Sequence, residues 1–215
     1  THASPPAATE TVEQCLQFVR DQGEPVLLET ADLHRELSEL YLEQGNREAA
    51  AQHLRSSKEL GEKAELPVWR YQWCIAQARL NESRGDLEAA LAMLAEAERR
   101  YIRSPLPDFC PLSAMKARIW VAQGKLTKSL EWVREQGLAP DDDLSYLHEF
   151  EHITLARILI AHDQDDRLAD SISAALRLLD RLLHTAEESR RIGSVIEISI
   201  VQALAYQAQG NTSAA

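Results

Sequence analysis

Three glycines set the period of this chain. Gly45, Gly85 and Gly124 stand 40 and 39 residues apart, each in similar surroundings: YLEQGNREAAAQHL, LNESRGDLEAALAML and WVAQGKLTKSLEWV. A further 39 residues on, Asp163 takes the place of the glycine, and AYQAQGNTSAA carries Gly210. Self-similarity at such a period calls for stacked supersecondary units, because one unit cannot bury its apolar face alone. Each unit reads as helix, short turn, helix, with glycine free to take the left-handed conformation that closes the first helix. The first helices share a small residue: Ser38, Ala78, Ala117, Ala156 and Ala203. Three residues later comes a bulky one (Tyr41, Trp120, Leu159 and Tyr206), with Asn81 as the exception. Five residues past the glycine the side chain is small again: Ala50, Ala90 and Ser129. Small residues let paired helices approach closely, and bulky ones fill the space between repeats.

This pattern resembles the tetratricopeptide repeat, at a period longer than its usual ~34 residues. The resemblance implies an all-α fold, a right-handed superhelix of about five helix-turn-helix repeats. Apolar periodicity and stop signals predict helices over 9–22, 27–44, 47–63, 67–84, 87–103, 110–123, 126–136, 144–162, 166–188 and 191–209. Residues 1–8, rich in Pro and Ala, are expected to be a flexible N-terminal segment, and 9–215 a single α-solenoid domain. Pro67 and Pro111 fall at first-turn positions, where a missing N–H costs little. The stretch SPLPDFC, from Ser104 to Cys110, is too rich in proline to continue a helix. Asp141, Asp142 and Asp143 are placed to cap a helix starting at Leu144.

Charge argues against one class of function. The chain carries 34 acidic and 23 basic residues, a net charge of −11. A phosphate backbone would be repelled, so direct nucleic-acid binding by this stretch is not expected. No apolar run approaches the ~18 residues of a membrane span, and no secretory leader is visible. Cys15, Cys74 and Cys110 are odd in number and widely spaced, which suits buried thiols in a reducing cytoplasm better than a disulfide framework. A start at Thr1 and a stop inside a repeat lead us to expect a fragment of a longer protein.

The stretch from Asp141 to Asp163 contains a formal H-E-x-x-H match, His148-Glu149-Phe150-Glu151-His152. Residues four apart share a helix face, so both imidazoles can reach one Zn²⁺ while Glu149 activates its water. A catalytic zinc also needs a third protein ligand and an open position. The metzincin continuation would require Gly at position 155 and His at 158, where Leu155 and Ile158 stand. Glu187 and Glu188, on a later helix, have no motif around them, and Glu151 adds a second charge inside the pattern. Ile153, Leu155, Ala156, Leu159 and Ile160 instead mark the apolar stripe of a repeat helix. No Ser-His-Asp arrangement and no metal-ligand cysteine spacing is present. Neither metal nor catalysis is expected, and a zinc peptidase is the most distant reading.

Three segments narrow the family. DDDLSYLHEFEHITLARILIA, KARIWVAQGKL and RIGSVIEISIVQALAYQAQGNTSAA resemble the repeat region of large ATP-binding, LuxR-type (MalT-like, STAND-class) transcriptional regulators, from about Val26 to the end of the chain. The resemblance implies a nucleotide-binding module before the repeats and a helix-turn-helix module after them. Neither is in this stretch, which has no G-x-x-x-x-G-K-[ST] loop and no basic recognition helix. ATP is then expected on the absent N-terminal domain, DNA contact through the absent C-terminal one, and no cofactor here. The repeats would receive a small-molecule inducer or a regulatory protein in the cytoplasm and gate multimerisation and promoter binding, with self-association a property of the full-length protein. A free-standing repeat scaffold that binds a peptide or protein is the alternative.

Candidate binding residues follow from the register. One position after the small residue stand Glu39, Arg79, Arg118, Arg157 and Leu204. If first helices line a concave face, three arginines form a ladder there, and their forked donors suit carboxylate or phosphate. The competing expectation is that each arginine pairs with a glutamate of a neighbouring helix. Trp69, Tyr71 and Trp73 in VWRYQWC form a second cluster, with Trp69 and Trp73 on one helix face. A tryptophan pair at that spacing more often plugs the gap between repeats than lines a ligand site. His148 and His152 complete the set of secondary candidates.

Overall fold

The computed structural model describes residues 5–21, 27–64, 67–100, 110–166 and 169–210. Their elements are α1 (Pro5–Asp21), α2 (Leu27–Glu43), α3 (Arg47–Ala64), α4 (Pro67–Ser83), α5 (Leu87–Arg99), α6 (Leu112–Ala122), α7 (Leu126–Gln136), a 3₁₀ turn (Tyr146–His148), α8 (Glu149–Asp166), α9 (Ala169–Glu188) and α10 (Ile192–Ala208). No strand occurs among the described residues. By its internal contacts the chain falls into two compact units, Thr1–Arg103 and Ser104–Ala215. The division falls where the proline-rich stretch SPLPDFC begins.

The first unit holds α1–α5 and the second α6–α10. In the first, α2 packs on α3, α4 on α5, and the two leading helices α2 and α4 also touch. In the second, α6 packs on α7 and α8 on α9, and α8 touches both α6 and α10. Leading helices therefore lie side by side within each unit, as a tetratricopeptide-type array requires. The shared small residues make this close packing possible: Ser38, Ala78, Ala117, Ala156, Ala50, Ala90 and Ser129 are all buried. On α9 the buried residues Ile172, Ala175, Leu178, Leu179, Leu182 and Ala186 recur every three or four positions, giving one apolar face against α8 and α10.

The turn glycines behave as their sequence surroundings predict. Gly45, at φ 76°, donates its N–H to the Leu42 carbonyl (3.0 Å), and Asn46 donates to Tyr41 (2.9 Å). Gly85 and Gly124 repeat these two bonds, which together satisfy the last carbonyls of the helix. The residue after the glycine then caps the next helix: Asn46 Oδ1 accepts from Ala49 N–H, and Asp86 Oδ1 from Ala89 N–H, both at 3.1 Å.

The fourth unit departs from the pattern. Asp163, aligned with the turn glycines, lies inside α8, which continues to Asp166. Without a residue that favours the left-handed conformation, nothing local stops the helix there. The same pair of turn bonds appears instead between α9 and α10, from Arg190 N–H to Glu187 O and from Arg191 N–H to Ala186 O, with Arg190 at φ 54°. A left-handed arginine carries strain of ~1–2 kcal/mol, and glycine relieves it at some cost in unfolded-chain entropy. Arg190→Gly is accordingly expected to stabilise the second unit by about 1 kcal/mol, read as a rise of a few degrees in its melting temperature.

Other boundaries shift as well. Helix α1 begins at Pro5, so residues 5–8 of the expected flexible segment form its first turn, where proline fits. The helix expected over 144–162 starts at Glu149, and Ser145 rather than the aspartate run caps the turn before it, its Oγ accepting from Leu147 N–H (3.3 Å). Asp142 turns back to accept from Ala139 N–H (2.8 Å). All three cysteines are free. Cys74 is buried, which pushes its thiol pKa up, but Cys15, expected to be buried, is exposed.

Candidate ligand-binding face

The arginine register is real, and each member is met by acid. Arg79 on α4 has Nη1 3.3 Å from Glu39 Oε2 on α2, and Glu39 also accepts from Arg35 (2.9 Å). In the second unit Arg118 on α6 is enclosed. Its Nη1 donates to Glu197 (2.7 Å), its Nε to Thr154 Oγ1 (2.8 Å) and its Nη2 to the Phe150 carbonyl (3.4 Å). The guanidinium carbon lies 3.5 Å from the centre of the Phe150 ring. Burial pushes the Arg118 pKa below its ordinary value, with Glu197 opposing that shift, but a guanidinium this basic stays charged. Arg157 on α8 shares the same carboxylate, with Nη2 3.6 Å from Glu197 Oε1. Glu197 thus ties α10 to both α6 and α8. All three ladder arginines have a glutamate of another helix within 4 Å, so the geometry is that of pairing across helices and not of open anion donors.

Arg118 is mainly a cross-brace of the second unit. Arg118→Ala would remove a charge-assisted bond and a buried ring contact, each worth roughly 1.5–3 kcal/mol in such settings and not additive. We expect a loss of about 3 kcal/mol, with only partial recovery in Arg118→Lys, because lysine lacks the planar fork that reaches Thr154 and Glu197 together. Thermal unfolding of the two variants measures both quantities.

Arg79 is placed differently. Its half-exposed guanidinium borders an open depression of about 400 Å³ on the first unit, lined by Glu39, Leu42, Glu43, Arg79, Glu82 and Ser83. Its surface is mostly apolar, with the carboxylates of Glu39, Glu43 and Glu82 and the Arg79 guanidinium among its lining, and Glu39 is already held by Arg35 and Arg79. Of the ladder's partners, only Glu39 stands out in the sequence. Glu39 had a usable signal, since it holds the same register position as Arg79 in the preceding repeat. Thr154, Phe150 and Glu197 had none, because their contacts depend on how α6, α8 and α10 cross.

The tryptophans belong to the core. Trp69 and Trp73 are buried, with ring centres 6.3 Å apart. Trp69 Nε1 donates to Ser57 Oγ (3.1 Å) and Trp73 Nε1 to the Leu54 carbonyl (3.0 Å), both back onto α3. Tyr71, between them, is half-buried.

The H-E-x-x-H residues are spent on other bonds. His148 belongs to the 3₁₀ turn, and its Nδ1 lies 2.5 Å from Glu151 Oε2. Buried His152 donates Nδ1–H to the His148 carbonyl (2.9 Å), and its Nε2 lies 3.6 Å from Asp142. Glu149 is held by Arg191 and by Ser194 Oγ (2.6 Å) at the start of α10. Among the described residues no group of three His, Cys, Asp or Glu is placed to hold a metal ion.

The comparison with protein families decides among all-helical repeat folds. A model of the MalT-like TPR region matches residues 6–215. The chain belongs to the MalT-like TPR family. No curated protein and no solved structure matches it significantly. The match includes nearly all of α1, which precedes the glycine-marked repeats. No helix among the described residues is long and apolar enough to cross a membrane.

Proposed function

We propose that this MalT-like TPR region is the sensor of a LuxR-type, ATP-dependent transcriptional regulator, receiving an inducer or a regulatory protein and gating DNA binding by flanking domains. The observation that carries this reading is the family match over residues 6–215. The net charge of −11 fits a region that leaves DNA contact to another domain. Glu149, the residue a peptidase would need as its base, is already bound to Arg191 and Ser194, which favours binding over catalysis. ATP would reside on the N-terminal module and the region itself would work in the cytoplasm without a cofactor.

Within this reading, the depression beside Arg79 is where input docks. It offers free volume beside a ladder arginine, and it sits between α2 and α4, whose relative position a ligand could bias. The full gene product tests the proposal first, since it must encode a phosphate-binding loop before these repeats and a helix-turn-helix after them. In that protein, Arg79→Glu should abolish the effector response of a reporter promoter while nucleotide and DNA binding persist. A gene product without those modules would favour a free-standing scaffold.

A further inference from the structure

Pairing with Glu197 leaves a remainder in the second unit. Arg118 is well served, with hydrogen bonds to Glu197, Thr154 and the Phe150 carbonyl. Arg157 is not. Its Nη2 stands 3.6 Å from Glu197 Oε1, past hydrogen-bond reach, and it makes no hydrogen bond among the described residues. Its Nε is buried without a partner. The third ladder arginine differs again, since Arg79 donates to Glu39 at 3.3 Å.

The charges do not balance either. Arg118 and Arg157 share one carboxylate, and among the described residues no other lies within 4 Å of either guanidinium. The cluster therefore carries a net single positive charge, although the chain has 34 acidic residues from which a second partner could have come. Burial is the main influence lowering the Arg118 pKa; Glu197 opposes it and the charge of Arg157 adds to it. The two cations thus feel each other through an incomplete counter-charge. Access is from the Arg157 side. The side chains of Arg157 and Glu197 are 29 and 33% exposed, against 18% for Arg118.

We infer that Arg157, with the charge of Arg118 behind it, binds one oxyanion group of a ligand, a carboxylate or a phosphate. The planar fork of a guanidinium matches either group, and its donors here are unspent. Glu197 stays in place, held by Arg118 at 2.7 Å, so the incoming anion adds to the cluster and completes its charge. Glu197 also joins α10 to α6 and α8, so an anion that fixes Arg157 stiffens the junction of three leading helices. This site is built from other residues than the depression beside Arg79 and stands whether or not input docks there.

Titration of the ¹⁵N-labelled 215-residue chain with sodium acetate, and separately with sodium phosphate, tests this at an ionic strength held constant with chloride. We expect the Arg157 Nε–H resonance to shift and saturate, with half-saturation below ~10 mM, the affinity that two charge-assisted hydrogen bonds give. Saturation by one salt and not the other names the group. Arg157→Gln should keep the fold, since no hydrogen bond is lost, and should weaken binding at least ~10-fold, read at the Thr154 amide. Glu197→Gln keeps an acceptor for Arg118 but removes the competing negative charge, and should tighten binding at least ~10-fold. A drift that never saturates with either salt overturns the proposal. So does saturable binding that persists unchanged in Arg157→Gln, which would place the anion elsewhere.

Discussion

Glu149→Ala should cost the second unit about 3–5 kcal/mol, the usual result of deleting one partner of a buried ion pair. Glu149 is buried, and its carboxylate accepts from Arg191 and Ser194 on α10. Removing it leaves the mostly buried Arg191 guanidinium, which also sits over the Tyr146 ring, without its counter-charge. The melting temperature of the second unit should fall by at least ~10 °C. Replacing both partners by methionine should cost far less, because no charge is stranded. The peptidase reading requires the reverse, a Glu149→Gln protein that is fully stable and loses only activity. A calorimetric scan of Glu149→Ala that overlays the wild type would show the ion pair to be idle.

Glu149 also marks where sequence reasoning stops. The H-E-x-x-H spacing is visible in one dimension, but Arg191 and Ser194 lie 42 and 45 residues further on and meet Glu149 only because α10 packs against α8. The repeat itself was legible because its signals are local: a left-handed glycine, a cap residue after it, and small residues at fixed offsets. Those signals placed most helices within a residue or two, and they failed where the local chemistry is missing. Asp163 interrupts nothing, while Arg190 makes a glycine-like turn without a glycine. The candidate site was legible only as a register. That Arg79, Arg118 and Arg157 are equivalent positions could be read from spacing. That Arg118 and Arg157 converge on one carboxylate, while Arg79 borders an open depression, depends on crossings between helices that no spacing encodes.

The second large effect should come from the smallest side chain in α3. Gly61 lies in the last turn of α3 with no left-handed turn to make, and on propensity alone Gly61→Ala would gain up to ~1 kcal/mol. Packing reverses that sign. A Cβ built there falls 2.0–2.4 Å from indole carbons of Trp69, a buried ring pinned by its hydrogen bond to Ser57. The flat face of the indole lies directly on the α3 backbone, so this glycine is what lets α3 and α4 approach. The added methyl must push the ring, and with it α4, outward. Overpacking of this kind costs ~1–3 kcal/mol, and here the displaced atoms belong to a rigid aromatic and not to a flexible chain end. Trp69→Ala should cost more, ~3–5 kcal/mol, by leaving a ring-sized cavity and an unpartnered Ser57 hydroxyl. Combining Gly61→Ala with Trp69→Leu separates the two effects. If the clash is the cause, the alanine becomes neutral or stabilising once the ring is gone, with a coupling of about 2 kcal/mol in denaturant unfolding. Should Gly61→Ala instead cost the same with and without the indole, backbone flexibility and not the Trp69 contact would be what Gly61 supplies.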